Sequence, residues 1–244
     1  MTEAVLYNFT DGLARITLNR TDARNALNIA MCEALVAATR RAREDGARCV
    51  LVRALGPVFC AGADLKERQG MGDDAVRARR LKSFAAYDAL ERLPMPAIAV
   101  VEGPAVGSGV EIAAACDFII ATPAASFRTP EALWGTVGAT QRLPRIIGKR
   151  LAKDLMFTGR ALGAEEAREA GLVSRVVTAE ALEATIADIT ASILKAPPAA
   201  MALAKRCVDE GLERDPRGAL ATEILAIEES LAAAEWRKAM QGFG

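Results

Sequence analysis

Histidine is missing altogether from the 244 residues. Its absence excludes every Ser-His-Asp or Cys-His catalytic arrangement and every zinc site built with imidazole. Acid-base chemistry near neutral pH must then fall to carboxylates, Lys, Tyr or Cys whose pKa values the fold has shifted. Charge of one sign is lacking too, because 31 Lys and Arg balance 31 Asp and Glu to a net charge of +0. That removes the basic excess of a broad nucleic-acid surface, although a neutral total can still hide a local positive pocket. No segment supplies the ~18 uninterrupted apolar residues of a spanning helix, and Met-Thr-Glu-Ala at the start has no basic stretch leading into an apolar one. Cysteine is sparse. Cys32, Cys49, Cys60, Cys116 and Cys207 are odd in number and never spaced as C-x-x-C, so neither a disulfide framework nor a zinc knuckle is expected, and no metal site. They read as small buried hydrophobes in a reducing, cytoplasmic compartment.

What is present describes a globular chain: 25% charged and 52% hydrophobic residues, at a length that suits one α/β domain with an appendage. Residues 4–10 and 13–18 alternate as strands around Asp11-Gly12, a short hairpin signal. Apolar positions at helical spacing run from Asn28 to Glu44, and Gly46 closes them. Strands are expected at Cys49–Arg53, Ile98–Val101, Phe118–Ala121 and Ser126–Thr129, with a shorter extended run at Val58–Cys60. A long helix is expected from Asp73 to Leu93, acidic at its start and stopped by Pro94, and a short buried one at Val110–Cys116. Alternation of strands and helices predicts a layered α/β architecture. After Lys149 the pattern turns helical, at Arg150–Phe157, Ala164–Ala170, Glu180–Leu194, Ala199–Leu212 and Arg217–Met240.

Three stretches stand out. In Phe59-Cys60-Ala61-Gly62-Ala63-Asp64-Leu65-Lys66, small residues after a strand let a ligand approach the main chain. In Gly103-Pro104-Ala105-Val106-Gly107-Ser108-Gly109-Val110-Glu111, a glycine-bearing turn enters a helix N-terminus, whose unpaired N–H groups favour negative charge. A dinucleotide fingerprint is excluded there, because Ile112 stands where the third glycine belongs. The third is Thr129-Pro130-Glu131-Ala132-Leu133-Trp134-Gly135, followed by Thr140-Gln141-Arg142-Leu143-Pro144. Taken alone, Glu111 could be a dipole-stabilising carboxylate and Glu131 an ordinary residue at a helix start.

In this order, with Asp22-Ala23-Arg24-Asn25-Ala26-Leu27-Asn28 ahead of them and Gly159 to Val173 behind, these stretches resemble the enoyl-CoA hydratase/isomerase (crotonase) superfamily. The resemblance implies a spiral of ββα units over residues 1–190, a helical trimerisation region over 191–244, and a homotrimer or a homohexamer built as a dimer of trimers. It implies that the backbone amides of Ala63 and Ser108 hold an acyl thioester oxygen, an oxyanion hole for an enolate-like transition state. Glu111 and Glu131, twenty residues apart, match both hydratase positions: Glu111 to deprotonate water, Glu131 to deliver a proton to Cα. Two close buried carboxyls cannot both ionise easily, so one keeps its proton. Arg24, Ala26, Ala61, Asp64, Leu65 and Lys66 match positions that contact coenzyme A, with Arg24 and Lys66 on its phosphates and Asp64 also organising its turn. Coenzyme A enters as part of the substrate, and no separate cofactor is expected.

Two departures from the family pattern bear on this. Only Val137-Gly138-Ala139 lie between Thr136 and Thr140, a stretch three residues shorter than the standard hydratase's, which leaves Gly138 to position the reacting water. Arg128 stands where the family has glycine; its cation either recognises a polar acyl group or forms an outward salt bridge. The chain's end at Gly244 lacks a basic tail, so contacts from such a tail are not expected. Trp134 is either core or a wall of the acyl pocket. The expected activity is hydration of a 2-trans-enoyl-CoA to a 3-hydroxyacyl-CoA; an enoyl-CoA double-bond isomerase and a non-catalytic acyl-CoA-binding subunit are the alternatives.

Overall fold

The computed structural model describes residues 3–233 and Arg237. Its first unit is a hairpin: β1 (Val5–Thr10) and β2 (Leu13–Leu18) pair antiparallel, and Asp11 and Gly12 turn the chain with φ of 51° and 83°. Both values lie in the left-handed region that Asp-Gly tolerates. Asn28 then caps α1 (Ile29–Glu44), its side-chain oxygen accepting from the Met31 amide at 2.9 Å. From there β3 (Cys49–Ala54), β4 (Ala97–Val101), β6 (Phe118–Ala121) and β9 (Arg175–Val176) extend the sheet in parallel, giving the order β1-β2-β3-β4-β6-β9. A second, three-stranded sheet is made of β5 (Pro104–Val106), β7 (Ser126–Arg128) and β8 (Leu162–Gly163). The layered α/β spiral is thus present.

The large sheet is covered on both faces, which is why β3 and β4 read as unbroken apolar runs. Val50 and Val52 belong to the cluster with Leu35 of α1 and Leu90 of α3 (Asp73–Glu91). Leu51, Ile98 and Ile120 point the other way, onto Leu182 and Ile186 of α8 (Ala179–Lys195). Between these layers α2 (Leu65–Arg68) and α4 (Ser108–Ala114) rise from the two loops that form the site. The remaining helices are α5 (Arg142–Ile147), α6 (Lys149–Thr158), α7 (Ala164–Glu169), α9 (Pro198–Gly211) and α10 (Pro216–Ala233).

Several sequence expectations need correction. β5 forms inside the expected glycine-bearing turn, α2 and α5 are helices in stretches given no helix, and β8 and β9 add short strands in the gaps between the helices expected after Lys149. The Val58–Cys60 run forms no strand, only a single bridge from Cys60 to Ala105. The short buried helix begins at Ser108, not Val110, because Gly107 takes the turn into it. Part of the helix expected over 217–240 lies outside the described residues. Position 190 falls inside α8, which packs on the sheet; α9 and α10 pair beyond it. No single helix among the described residues is long and apolar enough to cross a membrane. The cysteines are free, four buried and Cys207 half-buried.

Candidate active site

The two small-residue loops are laced together. Cys60 accepts from the Val106 amide at 2.9 Å, and on the other side Ala61 and Asp64 donate to the carbonyls of Arg24 and Leu27 at 3.0 and 2.9 Å. The Asp64 side chain caps α2, accepting from the Lys66 and Glu67 amides at 3.1 and 3.3 Å, and meets Arg20 Nη2 at 3.0 Å. Burial opposes ionisation of Asp64, but the Arg20 guanidinium and the two amides together hold its carboxyl below the usual range. Glu67 ties the same helix to α1 through the Ile29 amide at 2.9 Å and to Arg79 at 2.8 Å. Between Gly62, whose carbonyl accepts from the Leu27 amide at 2.7 Å, and Asp64, the Ala63 amide has no backbone acceptor among the described residues. Ser108 opens α4, so its amide is one of the donors that a helix leaves unpaired. Both residues line one cleft.

Glu111 stands in the first turn of α4, 8% exposed, with Oε2 3.0 Å from Arg142 Nη1. Glu131 opens a 3₁₀ turn, Glu131–Trp134, and enters the same cleft between two glycines. Gly107 has φ of 51°, and a Cβ there would come within 2.7 Å of Glu131 Oε1. A Cβ on Gly138 would come within 2.8 Å of the same oxygen. Any side chain at either position would displace the carboxyl. Glu131 Oε2 is buried without a hydrogen-bond partner. Burial, reinforced by the nearby charge of Glu111, raises the Glu131 pKa; its own amide and Arg80 offset this only in part. The cleft therefore holds two carboxyls with different surroundings, one against a guanidinium and one nearly dry.

Of the residues singled out in the sequence, Ala63, Ser108, Glu111, Glu131, Gly138 and Leu65 meet in this cleft. Arg24, Ala26, Ala61, Asp64 and Lys66 do not line it; Arg24 and Lys66 are exposed on the outer side of the two laced loops. Asp64 serves the turn through its cap. Trp134 lines the cleft and is 57% exposed, so it is a wall residue and not core. Arg128 makes neither of the contacts considered for it. Its Nε donates to the Gly159 carbonyl, away from the cleft, because β7 ends there beside α6.

Three residues escaped sequence reasoning. Arg80 of α3 lines the cleft and holds its short loop, donating to Thr136 Oγ1 and the Val137 carbonyl. Tyr87 lines it one face further along α3, its phenol facing Ser108 and pushed up in pKa chiefly by burial, so that it stays protonated. Arg142 belongs to the Thr140–Pro144 motif, which gave it no role; only the fold brings it beside Glu111. No group of three or more potential metal-ligating His, Cys, Asp or Glu side chains occurs among the described residues.

The profile described as Enoyl-CoA hydratase/isomerase matches residues 8–244. The mouse mitochondrial "Enoyl-CoA hydratase domain-containing protein 2" is 38% identical over 95% of this chain and 81% of its own length. The crystal structure of enoyl-CoA hydratase from Bacillus anthracis superposes with a TM-score of 0.94 at 36% identity, covering 98% of this chain and 95% of that one. A Thermobifida fusca YX protein, solved in complex with acetoacetyl-CoA, superposes with a TM-score of 0.86 at 27% identity over 95% of this chain and 96% of its own.

Proposed function

Because this chain belongs to the enoyl-CoA hydratase/isomerase family, we propose that it hydrates a 2-trans-enoyl-CoA to the 3-hydroxyacyl-CoA. The observation that carries the reading is that both glutamates, Glu111 and Glu131, line one cleft with the Ala63 and Ser108 amides. The thioester oxygen lies between those two amides. Glu111 takes a proton from water as the water oxygen bonds to C3. The C2–C3 π electrons move toward the thioester, and the oxygen gains charge that the two amides stabilise; one such donor is worth ~3 kcal/mol. Glu131, whose pKa burial raises, gives its proton to C2. Exchange with solvent then returns the two carboxyls to their starting states.

Coenzyme A arrives as part of the substrate, and the steps call for no metal or separate cofactor. The bound acetoacetyl-CoA of the Thermobifida relative supports a coenzyme A thioester as the ligand class. Arg24 and Lys66, exposed beside the loops, meet the coenzyme's phosphates. Gly138 positions the water through its backbone amide. The exposed apolar residues of α9 and α10 and the turn between them, among them Val208, Leu212, Ile224, Leu225 and Ile227, are covered by other copies of the chain in a homotrimer or a homohexamer. Unpaired buried thiols fit a cytoplasmic location.

The test is the loss of enoyl absorbance when purified protein meets crotonyl-CoA and longer 2-enoyl-CoAs. Turnover that collapses in both Glu111→Gln and Glu131→Gln is expected. Absence of hydration with movement of a C3 double bond to C2 would replace this reading with isomerisation, for which one glutamate suffices. Tight binding of a coenzyme A ester without any turnover would make the chain a binding subunit.

A further inference from the structure

Arg142 reaches Glu111 from behind the cleft. It does not line the cleft that holds the two glutamates; it lines a second groove between α9 and the end of α3. From there Nη1 donates to Glu111 Oε2 at 3.0 Å while Nη2 donates to Glu91 at the C-terminal end of α3. The guanidinium carbon stands 5.8 Å from the centre of the Tyr87 ring, which supports it from a third side. Glu111 and Arg142 are both largely buried, whereas Glu91 is about half exposed. The third nitrogen, Nε, is buried with no partner. Leaving such a donor unpaired costs ~1–3 kcal/mol, so stability alone does not favour this arrangement. Among the described residues, the charged and titratable groups facing Glu111 are Arg142 from α5, Glu131 from the 3₁₀ turn and Tyr87 from α3.

We propose that Arg142, aimed by Glu91, is a positioning residue that fixes the Glu111 carboxyl in the orientation from which it meets the reacting water. The inference deepens the hydratase reading and rests on it for its catalytic consequence. Two carboxyls share one cleft, and the only cation bonded to either of them by a side-chain contact among the described residues is on Glu111. Glu131 has no such partner on Oε2. Because Glu91 holds the far nitrogen, the guanidinium cannot turn toward Glu131 without giving up that second bond.

The experiment combines a kinetic arm with one that needs no turnover. In crotonyl-CoA hydration, Arg142→Met should lower kcat by about tenfold or more and leave KM within about threefold; Arg142→Lys should restore part of kcat, and Glu91→Gln should lower it by less than Arg142→Met does. Crystal structures of wild type and folded Arg142→Met should show the Glu111 carboxyl turned from its wild-type orientation in the variant, while Glu131 keeps its seat between Gly107 and Gly138. A Glu111 carboxyl unmoved in folded Arg142→Met would overturn the proposal, as would loss of activity that only follows the fraction folded. If Arg142→Met does not fold, Glu91→Gln and Arg142→Lys decide by the same two readouts. Wild-type protein without hydratase activity but with the reoriented Glu111 in the variant would remove the functional reading and keep the positioning role.

Discussion

Replacing Glu131 with Gln should make the protein more stable at neutral pH while abolishing its chemistry. The side chain is squeezed between Gly107 and Gly138, its Oε2 has no partner, and burial together with Glu111 raises its pKa. The sign follows from proton linkage. Above the ordinary glutamate pKa, the unfolded chain has released the Glu131 proton while the folded chain still holds it. The folded state therefore binds more protons, and stability falls as pH rises from about 4.5 through the raised folded value. Gln cannot titrate and has no such slope. Its advantage is absent in acid, where both side chains are neutral, and grows to full size once the wild-type carboxyl has either ionised in a dry site or held its proton against solvent.

An unpaired buried polar atom costs ~1–3 kcal/mol, and the amide recovers only the part that belongs to charge. For a chain of this length each kcal/mol moves Tm by roughly 2–4 °C, so a rise of roughly 2–6 °C is expected near pH 8. Thermal melts of wild type and Glu131→Gln at pH 5, 7 and 8.5 read the effect directly. The same variant should lose about 10²–10⁴ in kcat for crotonyl-CoA hydration, as expected for a missing general acid. A Glu131→Gln protein that melts below wild type at pH 8.5, or by the same margin at pH 5, would refute the argument that the carboxyl is held dry for its proton.

The remaining predictions concern the short loop. In Gly138→Ala the new Cβ would lie 2.8 Å from Glu131 Oε1, so the carboxyl must move; kcat should fall about 10²-fold, with a melting temperature within a few degrees of wild type, read by parallel kinetics and melts. Arg80→Met removes the donors to Thr136 and Val137 and a cation that lowers the Glu131 pKa; kcat should fall and the basic limb of the pH profile, which reports the acid, should move upward. An unchanged basic limb would mean that Arg80 acts on the loop alone.

How much of this was legible in the sequence depends on the range of the interactions involved. The Asp11-Gly12 hairpin, the Asn28 cap of α1 and the apolar run of β4 are set by neighbours within a few residues, and pattern reading finds them. β5, β8 and β9 are two or three residues long and become strands only because a partner strand is supplied from elsewhere. The start of α4 was misjudged for a related reason. Gly107-Ser108-Gly109 reads as a breaker in isolation, yet a positive φ at Gly107 aims the chain so that Ser108 begins the helix. The same turn presents the Ser108 amide, so the difference of two residues falls on the amide proposed to hold the thioester oxygen.

The site shows the same division. Glu111, Glu131 and the two amides lie in motifs whose order is their signature. Arg80 and Arg142 act across 56 and 31 residues of sequence, on Thr136 and Glu111, where no spacing rule applies. Their presence changes how the shortened loop is understood. Lost length would be expected to leave the Glu131 side of the cleft open. Instead α3 lends Arg80 to Thr136 and Val137, and Gly138 closes on Glu131 with no room for a Cβ. One helix thus supports both carboxyls, Arg80 near its middle through the loop over Glu131 and Glu91 at its C-terminal end through the guanidinium on Glu111. A displacement of α3 along its axis would therefore disturb the seats of both carboxyls together, which ties the shape of the cleft to the placement of the pair.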